Sequence, residues 1–301
     1  MIKQSAIALT LLLLHSVSAH VSPEGFYTEW FNHNGLPTMV EIESKLADCK
    51  SEYQHIEIYK TTTFGMMMII DDVIMLTQRD NAAYHEMIAH VPMIAHPNPK
   101  RVLVVGGGDG GTLREVLKHG GVEEVVLCEI DQKVIDLSIE YFPEFKSAFE
   151  DPRTKIVTED AAKYVKTQVN SFDVICVDST DPFGPGEVLF QEPFYKDLKE
   201  ALTDNGIAVT QSEPMYLYTD LIEKLYKQNS RLFNYANYYF TLVPTYPSGN
   251  IGFSFCSKKY DAFENMDENR IAKLKNLRYY NAELHKASFV LPQFLKERLT
   301  K

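Results

Sequence analysis

Residues 102–111 have the sequence VLVVGGGDGG, and this stretch decides the fold. Four apolar residues typical of a buried strand run directly into a cluster of glycines. Such a cluster lets the backbone turn tightly and approach a ligand closely at the start of the next helix. Positions 106, 108 and 111 also satisfy the dinucleotide pattern GxGxxG, which is weak evidence by itself. Asp109 would repel a pyrophosphate but suits a cationic ligand, such as a sulfonium that carries an ammonium arm.

The same alternation of apolar runs and amphipathic segments continues towards the C-terminus. Buried strands separated by amphipathic helices predict an α/β fold with a Rossmann-like, doubly wound parallel sheet that helices cover on both faces. The predicted strands are 102–105, 125–130, 155–157, 172–177 and 207–211, and the predicted helices are 112–119, 132–141, 161–168 and 193–202.

The N-terminal part of the chain has a different pattern. Short β-favouring runs at 54–59, 64–70 and 73–76 alternate with turns and predict hairpins of a small antiparallel β domain. A helical pattern follows over 81–96, and the sequence Pro-Asn-Pro then ends it. The predicted organisation is an N-terminal extension (1–25), a small antiparallel β domain (26–80) and a Rossmann-like catalytic domain (81–301).

The first 19 residues resemble a secretory signal peptide. Lys3 precedes an apolar run over 6–14, and the small residues Val-Ser-Ala at 17–19 resemble a cleavage site. The run is too short to span a bilayer. An intracellular amphipathic or disordered extension would have a similar sequence, so export stays open at this point.

Charge and cysteine content limit the partners. A net charge of -11 repels phosphate backbones, which argues against nucleic acid, and it attracts cationic small molecules. The four cysteines form no CxxC pair, so we expect buried free thiols. The histidines show no common ligand spacing, and we expect no metal site.

Acidic residues follow the predicted strands, where ligands of doubly wound sheets bind. Glu129 ends the second strand and is suited to accept both hydroxyls of a ribose. Asp160 follows the third strand, where it can accept the exocyclic amine of an adenine while Ala161 lines the base. The alternative for Asp160 is an N-cap of the following helix.

The fourth strand ends in the most informative segment, DSTDPFGP at 178–185. Asp178 and Asp181 enter a stiff Pro/Gly loop and predict a compact anionic site at the ligand edge of the sheet. The alternative is a turn in which Asp181 caps the loop and Asp178 accepts backbone hydrogen bonds.

Six motifs occur in the same order in one known family. They are SEYQ (51–54), RD (79–80), YHEM (84–87), GGGDGG (106–111), DSTDPFGP (178–185) and PTYP (244–247). Together they resemble the spermidine synthase family from about Trp30 to the C-terminus. The resemblance implies a sheet like that of S-adenosylmethionine-dependent methyltransferases.

The resemblance also implies a division of the site. His85 stands where some relatives have glutamine, and ordinary helix positions at the domain interface are the alternative for Tyr84 and His85. The resemblance implies binding of methylthioadenosine by Gln54, Asp109, Glu129, Asp160, Ala161 and Pro185, and of the polyamine by Tyr84, His85, Asp109, Asp178, Asp181, Gln211 and Tyr246.

The expected reaction transfers an aminopropyl group from decarboxylated S-adenosylmethionine to putrescine. Its leaving group is a neutral thioether, so we expect neither a metal nor a cofactor, the donor being a co-substrate. The attacking ammonium must first lose a proton, and Asp178 is the expected base, assisted by Tyr84 and Asp181.

The resemblance implies a homodimer or homotetramer, in which a partner could cover edges of the β domain. Because decarboxylated S-adenosylmethionine is made inside cells, we expect a cytoplasmic enzyme without a membrane span. The alternatives are a spermine or thermospermine synthase, an N-methyltransferase, an NAD-dependent oxidoreductase and a non-catalytic polyamine-binding protein.

Overall fold

The computed structural model describes residues 20–22, 25–30, 36–182 and 184–300. The signal-like segment 1–19 lies outside these residues, as does the side chain of Pro185. Within the described part, no helix has the length and apolar character needed to cross a membrane.

The N-terminal part forms the predicted antiparallel sheet, in which each strand pairs with the next along the chain. Asp71 and Asp72 form the turn between the last two strands with φ values of 47° and 70°. Two consecutive residues with positive φ are the conformation of a tight hairpin turn that matches the twist of the strands. The strands are β1 (His20–Val21), β2 (Phe26–Glu29), β3 (Thr38–Lys50), β4 (His55–Thr61), β5 (Met66–Ile70) and β6 (Val73–Thr77).

The second sheet confirms the doubly wound fold and extends it. Its order is β12-β13-β11-β10-β7-β8-β9, with parallel pairing from β11 to β9. The strands are β7 (Arg101–Gly106), β8 (Glu124–Glu129), β9 (Thr154–Thr158), β10 (Phe172–Asp178), β11 (Leu202–Gln211), β12 (Tyr235–Leu242) and β13 (Asn250–Ser257).

Beyond the predicted strands the sheet continues with an antiparallel part. β13 pairs antiparallel with both β11 and β12. No element was predicted beyond residue 211, and the connection from β12 to β13 is too short for the crossover that a parallel pair requires. The sheet is therefore mixed.

Helices cover both faces of this sheet. The predicted 81–96 helix is confirmed as α1, but its residues are buried all round rather than on one side, because it packs against the sheet and against α2. The helices are α1 (Asn81–Ala95), α2 (Gly111–Leu117), α3 (Gln132–Tyr141), α4 (Pro143–Phe149), α5 (Ala161–Lys166), α6 (Glu192–Ala201), α7 (Thr219–Leu232), α8 (Glu268–Lys273), α9 (Ala282–Ala287) and α10 (Gln293–Leu299), with 3₁₀ helices at Gly184–Phe190 and Pro247–Gly249.

The two sheets are joined by an apolar contact. Ile56, Ile58 and Met68 of the small sheet pack in one cluster with Phe142 and Phe145, next to α3 and in α4. Burying one such side chain contributes roughly 1.5–3 kcal/mol, so this cluster fixes the small sheet over the ligand edge of the large one. The domain limits at residues 25 and 80 stay predictions.

The strand order reverses between β7 and β10, and the two strand ends touch there. Gly107 donates its backbone N–H to the carbonyl oxygen of Asp178 at 2.9 Å. Gly106 has a φ of 69°, and a β-carbon at that position would lie 2.3 Å from the same oxygen. Only glycine permits this approach, which opens a crevice at the switch point where ligands of such sheets bind.

The prediction of buried free thiols is confirmed for three of the four cysteines. Cys128, Cys176 and Cys256 are buried free thiols, and Cys49 is a free thiol of intermediate exposure. Burial raises the pKa of Cys128 to about 12, so this thiol is unreactive.

Candidate active site

A cleft runs between the two sheets along the carboxyl ends of β7, β8, β10 and β11. The small domain contributes Gln54 from the turn after β3 and the apolar side chains of Met68, Ile70, Ile74 and Met75. Every site residue predicted from the sequence lines this cleft except Pro185, whose side chain is not described. Pro185 lies in the 3₁₀ helix Gly184–Phe190, and the residue after it, Gly186, lines the cleft.

At one end of the cleft, which we call the Glu129 end, a carboxylate faces the glycine loop. Glu129 accepts hydrogen bonds from the backbone N–H groups of Gly108 at 3.2 Å and Asp131 at 2.9 Å. Burial raises the pKa of Glu129 to about 7, even though these backbone donors favour the charged form. This carboxylate is positioned to accept hydrogen bonds from a ligand that enters the cleft.

Gln54 reaches the same end because a serine ties its turn to the large domain. The hydroxyl of Ser51 donates to Asp131 at 2.6 Å and accepts the backbone N–H of Gln54 at 3.0 Å. Asp131 also caps α3 by accepting the N–H of Lys133 at 3.0 Å. Because the backbone N–H of Asp131 also donates to Glu129, this network connects Gln54 with Glu129.

The N-cap interpretation of Asp160 is confirmed, and its contact with an adenine stays a prediction. Its carboxylate accepts the backbone N–H groups of Ala162 at 3.0 Å and Lys163 at 3.4 Å, so it is the N-cap of α5. Asp160 and Ala161 also line the cleft. A capping carboxylate has further acceptor capacity, so the two roles are compatible.

The middle of the cleft holds a compact group of Asp109, His85 and Asp178. His85 Nε2 lies 3.3 Å from Asp109 Oδ1, and Asp109 also accepts the Gly111 N–H at 2.6 Å. A β-carbon on Gly111 would lie 2.1 Å from the His85 ring, so glycine is required for this contact. Asp178 accepts the Thr112 hydroxyl at 2.6 Å.

Burial and charge shift the pKa values of this group in opposite directions. Burial would raise the pKa of Asp109, but the adjacent His85 lowers it below its usual range. Burial would lower the pKa of His85, but Asp109 raises it. Burial and the charge of Asp109 raise the pKa of Asp178 to about 6, although His85 and hydrogen bonds from Thr112 and Tyr84 act against this. Asp178 is therefore a stronger proton acceptor than an ordinary carboxylate and is still ionised at neutral pH.

At the other end, which we call the carboxylate end, Asp181 and Gln211 meet Glu213. Gln211 Nε2 donates to Glu213 Oε1 at 2.9 Å and approaches Asp181 Oδ1 at 3.5 Å. Three buried oxygens here, Asp181 Oδ2, Gln211 Oε1 and Glu213 Oε2, have no hydrogen-bond partner among the described residues. Buried acceptors without donors favour a ligand that brings donors.

Burial raises the pKa values at the carboxylate end. Burial raises the pKa of Asp181 to about 6, and burial together with the charge of Asp181 raises that of Glu213 well above its usual range. Burial, with a smaller contribution from Asp181, raises the pKa of Glu29 to about 8. No lysine or arginine of the described residues forms an ion pair with these three carboxylates within 4.0 Å.

Glu213 and Glu29 were not predicted from the sequence. Glu213 lies two residues beyond Gln211, at a strand end like those of the predicted acidic residues, and this position was an available signal. Its φ of 65° is uncommon for a residue other than glycine. Glu29 comes from β2 and offered no such signal, because only the packing of the two sheets brings it near Asp181.

Tyr84 and Tyr246 line the cleft beside the carboxylates. Their ring centroids are 6.1 Å apart, and the Tyr246 hydroxyl donates to the carbonyl oxygen of Met75. Tyr84 therefore belongs to the cleft as well as to the domain interface.

Within the described part of the chain, two groups of side chains have a spacing that a metal ion could bridge. The ligand atoms of His85, Asp109 and Asp178 lie within 4.8 Å of one another, and so do those of Asp48, His55 and Glu57. Lys45 forms ion pairs with both Asp48 and Glu57 of the second group.

Comparison with known families and proteins places the chain. The family described as the spermine/spermidine synthase domain matches residues 81–268, and that described as the spermidine synthase tetramerisation domain matches residues 25–78. A polyamine aminopropyltransferase of Leptospira biflexa is 47% identical over 275 residues, covering 91% of this chain and 97% of that protein. Spermidine synthase 2 of Arabidopsis thaliana is 42% identical over 268 residues, covering 86% and 79%.

Solved structures agree with these matches. A spermidine synthase in complex with the transition-state analogue AdoDATO superposes with a TM-score of 0.89 at 38% identity, covering 95% of this chain and 98% of that one. Spermidine synthase from Thermotoga maritima gives a TM-score of 0.86 at 37% identity, with the same coverage. The predicted fold class and the predicted resemblance are both confirmed, and the protein belongs to the spermine/spermidine synthase family of polyamine aminopropyltransferases.

Proposed function

We propose that the protein transfers the aminopropyl group of decarboxylated S-adenosylmethionine to putrescine, releasing spermidine and 5′-methylthioadenosine. The observation that carries this proposal is the acidity of the cleft and of the wall behind it: Asp178 and Asp181 line the cleft, Glu213 and Glu29 lie near Asp181, and all four have raised pKa values. A diammonium acceptor supplies the missing positive charges and donors. The similarity to spermidine synthases supports the same assignment.

The Glu129 end suits the nucleoside of the donor. We assign Glu129 to the ribose hydroxyls, Asp160 to the adenine amine, and Gln54, Ala161 and Pro185 to further contacts with the nucleoside. Buried apolar walls with a few convergent polar groups are typical of such a pocket. The anionic Asp109 beside the glycine loop favours a sulfonium with an aminopropyl ammonium over a pyrophosphate, which argues against an NAD-dependent oxidoreductase.

The reaction centre lies between the two ends. Asp178 accepts one proton from the attacking ammonium of the acceptor, which frees the nitrogen lone pair. That lone pair forms a bond to the carbon next to the sulfonium while the carbon–sulfur bond breaks and its electron pair goes to sulfur. The leaving thioether is neutral, so this step by itself requires neither a Lewis acid nor a redox cofactor, and the donor acts as a co-substrate.

The remaining polar groups orient the acceptor. We assign Tyr84, His85 and Tyr246 to the walls around the reacting amine, and Asp181 with Gln211 to the distal ammonium. Glu213 and Glu29 lie behind them, and an ammonium group of the acceptor favours their charged forms. Holding the amine near contact with the carbon contributes as much as basicity does, because orientation converts a bimolecular step into a local one.

We also propose a homodimer or homotetramer, and a cytoplasmic enzyme. The match of residues 25–78 to a tetramerisation domain supports assembly, and so do Met39 and Leu46, which β3 exposes by 55% and 38%. Light scattering should give twice or four times the mass of the chain.

The proposed cytoplasmic location follows from where the donor is made, and a mature form starting at His20 in an exported fraction would contradict it.

The decisive experiment measures methylthioadenosine release from decarboxylated S-adenosylmethionine with putrescine, cadaverine or spermidine as acceptor. We expect release with putrescine, and a loss of about 10²–10⁴-fold in kcat for Asp178→Asn with methylthioadenosine affinity retained. Release only with spermidine would favour a spermine or thermospermine synthase. If none of the three acceptors gives methylthioadenosine release, the remaining interpretations are a polyamine-binding protein or an enzyme with a different alkyl donor.

A further inference from the structure

Asp80 stands between the two domains and has no part in the proposed chemistry. It occupies the N-cap position of α1, where an aspartate usually accepts an N–H of its own helix, but its side chain makes no such bond. Oδ2 instead accepts the backbone N–H of Thr245 at 3.1 Å and the Thr245 hydroxyl at 2.8 Å. Oδ1 accepts the Thr77 hydroxyl at 2.5 Å.

These bonds join three separate parts of the chain. Thr77 ends β6 of the small domain, Asp80 begins α1, and Thr245 lies in the connection from β12 to β13. Asp80 is 9% exposed and Thr245 is 2% exposed. Hydrogen bonds to a buried charged group are stronger than neutral ones, so this contact is a firm anchor for the connection.

Both tyrosines of the cleft depend on this anchor. Tyr246 directly follows Thr245, which is bound to Asp80. The Tyr246 hydroxyl donates to the carbonyl oxygen of Met75 in β6. The backbone and the side chain of Tyr246 are therefore both fixed near the end of β6. Tyr84 lies one helical turn after Asp80 in α1. A displacement of Asp80 or Thr245 therefore moves the wall beside Asp178.

The Glu129 end is anchored by a different contact. There Ser51 of the small domain donates to Asp131 of the large domain at 2.6 Å. Asp80 contacts neither residue in the hydrogen bonds described for it. The two ends of the cleft thus have separate interdomain anchors.

We propose that Asp80 is a positioning residue, which holds Tyr246 and Tyr84 at the acceptor wall through Thr245 and the start of α1. The inference rests on the proposed function, since it assigns this wall to the acceptor. A misplacement of about 1 Å can reduce catalysis by roughly 10²-fold, so the loss of a buried anchor should be visible in acceptor kinetics.

The test compares Asp80→Ala, Asp80→Asn and Ser51→Ala with the unaltered protein, using kcat and KM for putrescine and the Kd of methylthioadenosine. We expect Asp80→Ala to reduce kcat/KM for putrescine by about 10–100-fold and to change the Kd by less than about 3-fold. Asn keeps an acceptor for Thr245, so Asp80→Asn should recover most of the loss. Ser51→Ala is the matched control, because it removes an interdomain hydrogen bond at the Glu129 end. It should weaken the binding of methylthioadenosine more than that of putrescine.

Other results would overturn the inference. Unchanged acceptor kinetics in Asp80→Ala, equal losses for both ligands, or no recovery in Asp80→Asn would each do so. If Asp80→Ala gives no folded protein, Thr245→Val decides, because it removes the hydroxyl bond alone and should reduce kcat/KM for putrescine by about 3–10-fold. A protein inactive before any substitution, with every acceptor, would instead refute the proposed function.

Discussion

Two regions of this molecule bury carboxylates in opposite ways. Behind the glycine loop, the carboxylate of the fully buried Glu115 contacts three side chains. It accepts hydrogen bonds from Arg114 at 2.7 Å and His90 at 3.1 Å and forms an ion pair with Lys118 at 2.6 Å. Burial would raise the pKa of Glu115, but these partners lower it to about 2. We call Glu115 and its three partners the paired cluster.

The carboxylate end of the cleft buries acidic groups without cations. Glu213 and Glu29 are 0% and 1% exposed, and their pKa values are raised rather than lowered. An unpaired buried charge costs free energy, and a fold retains it where a ligand later supplies the missing partner. Pairing, and not burial, therefore separates the structural carboxylates of this protein from those that await a substrate.

The sharpest test of this comparison is Glu115→Gln against Glu213→Gln. Removing the Glu115 carboxylate leaves Arg114 and Lys118 without their counter-charge, and breaking a buried ion pair costs about 3–5 kcal/mol in the free energy of unfolding. Glu213 has no cation to lose, so its substitution should change this free energy by less than about 1 kcal/mol. Urea denaturation measures both, with the exposed Glu283→Gln as control. Equal losses for the two variants would remove the distinction.

The same Glu213→Gln variant should separate stability from substrate binding. It removes one carboxylate behind Asp181 while keeping the shape of the side chain. We expect KM for putrescine to rise by about 10–100-fold, because hydrogen bonds and charge pairs in a desolvated site contribute about 1.5–3 kcal/mol each. The Kd of methylthioadenosine should stay unchanged, as the Glu129 end is separate. An unchanged KM would mean that Glu213 does not act on the acceptor.

The pH dependence of stability extends the comparison. Folded pKa values of about 8 for Glu29 and about 7 for Glu129 lie above those of an unfolded chain. The folded state then binds protons more tightly, so the stability that these groups contribute is greatest below about 4.5, the ordinary pKa of a glutamate, and is lost as the pH rises to the folded values of about 7 and 8. Burial lowers the pKa values of His119 and His285. Protonation of these histidines at low pH is therefore unfavourable in the folded state, and it opposes the stability that Glu29 and Glu129 contribute there.

Thermal unfolding without ligand should therefore show a lower melting temperature at pH 8.5 than at pH 6.5. A group titrating in this window changes stability by about 1.4 kcal/mol per pH unit. Saturating spermidine should reduce the decline, because its ammonium groups stabilise the charged carboxylates. Glu29→Gln should flatten the profile. A melting temperature that rises over the same interval would contradict the assignment of the raised pKa values.

The smallest expected effect concerns His85. In His85→Gln the amide nitrogen can replace Nε2 as the donor to Asp109, but the positive charge that lowers the pKa of Asp109 is lost. We expect less than about a 5-fold decrease in kcat/KM at pH 8, within the range of one neutral hydrogen bond. The decrease should grow towards pH 6 as Asp109 takes up a proton. A uniform loss at all pH values would indicate a role for His85 other than this charge pair.

The sequence by itself determined the framework of this site. Apolar strands followed by Gly106, Glu129, Asp160 and Asp178 predict both the doubly wound sheet and its acidic ligand edge, because strand ends are local features and parallel strands gather them at one edge. The resemblance to the spermidine synthase family rests on the same local motifs.

The tertiary structure decided which carboxylates are buried and which of them have no cation. Arg114 and Lys118 lie close to Glu115 in sequence, but its third partner, His90, comes from another helix, and only packing buries the group. Glu213 contacts Gln211 in place of a cation. Glu29 and Asp80 gain their positions only when the small sheet packs over the large one. Burial and contacts between distant segments are set by the packing of the whole chain.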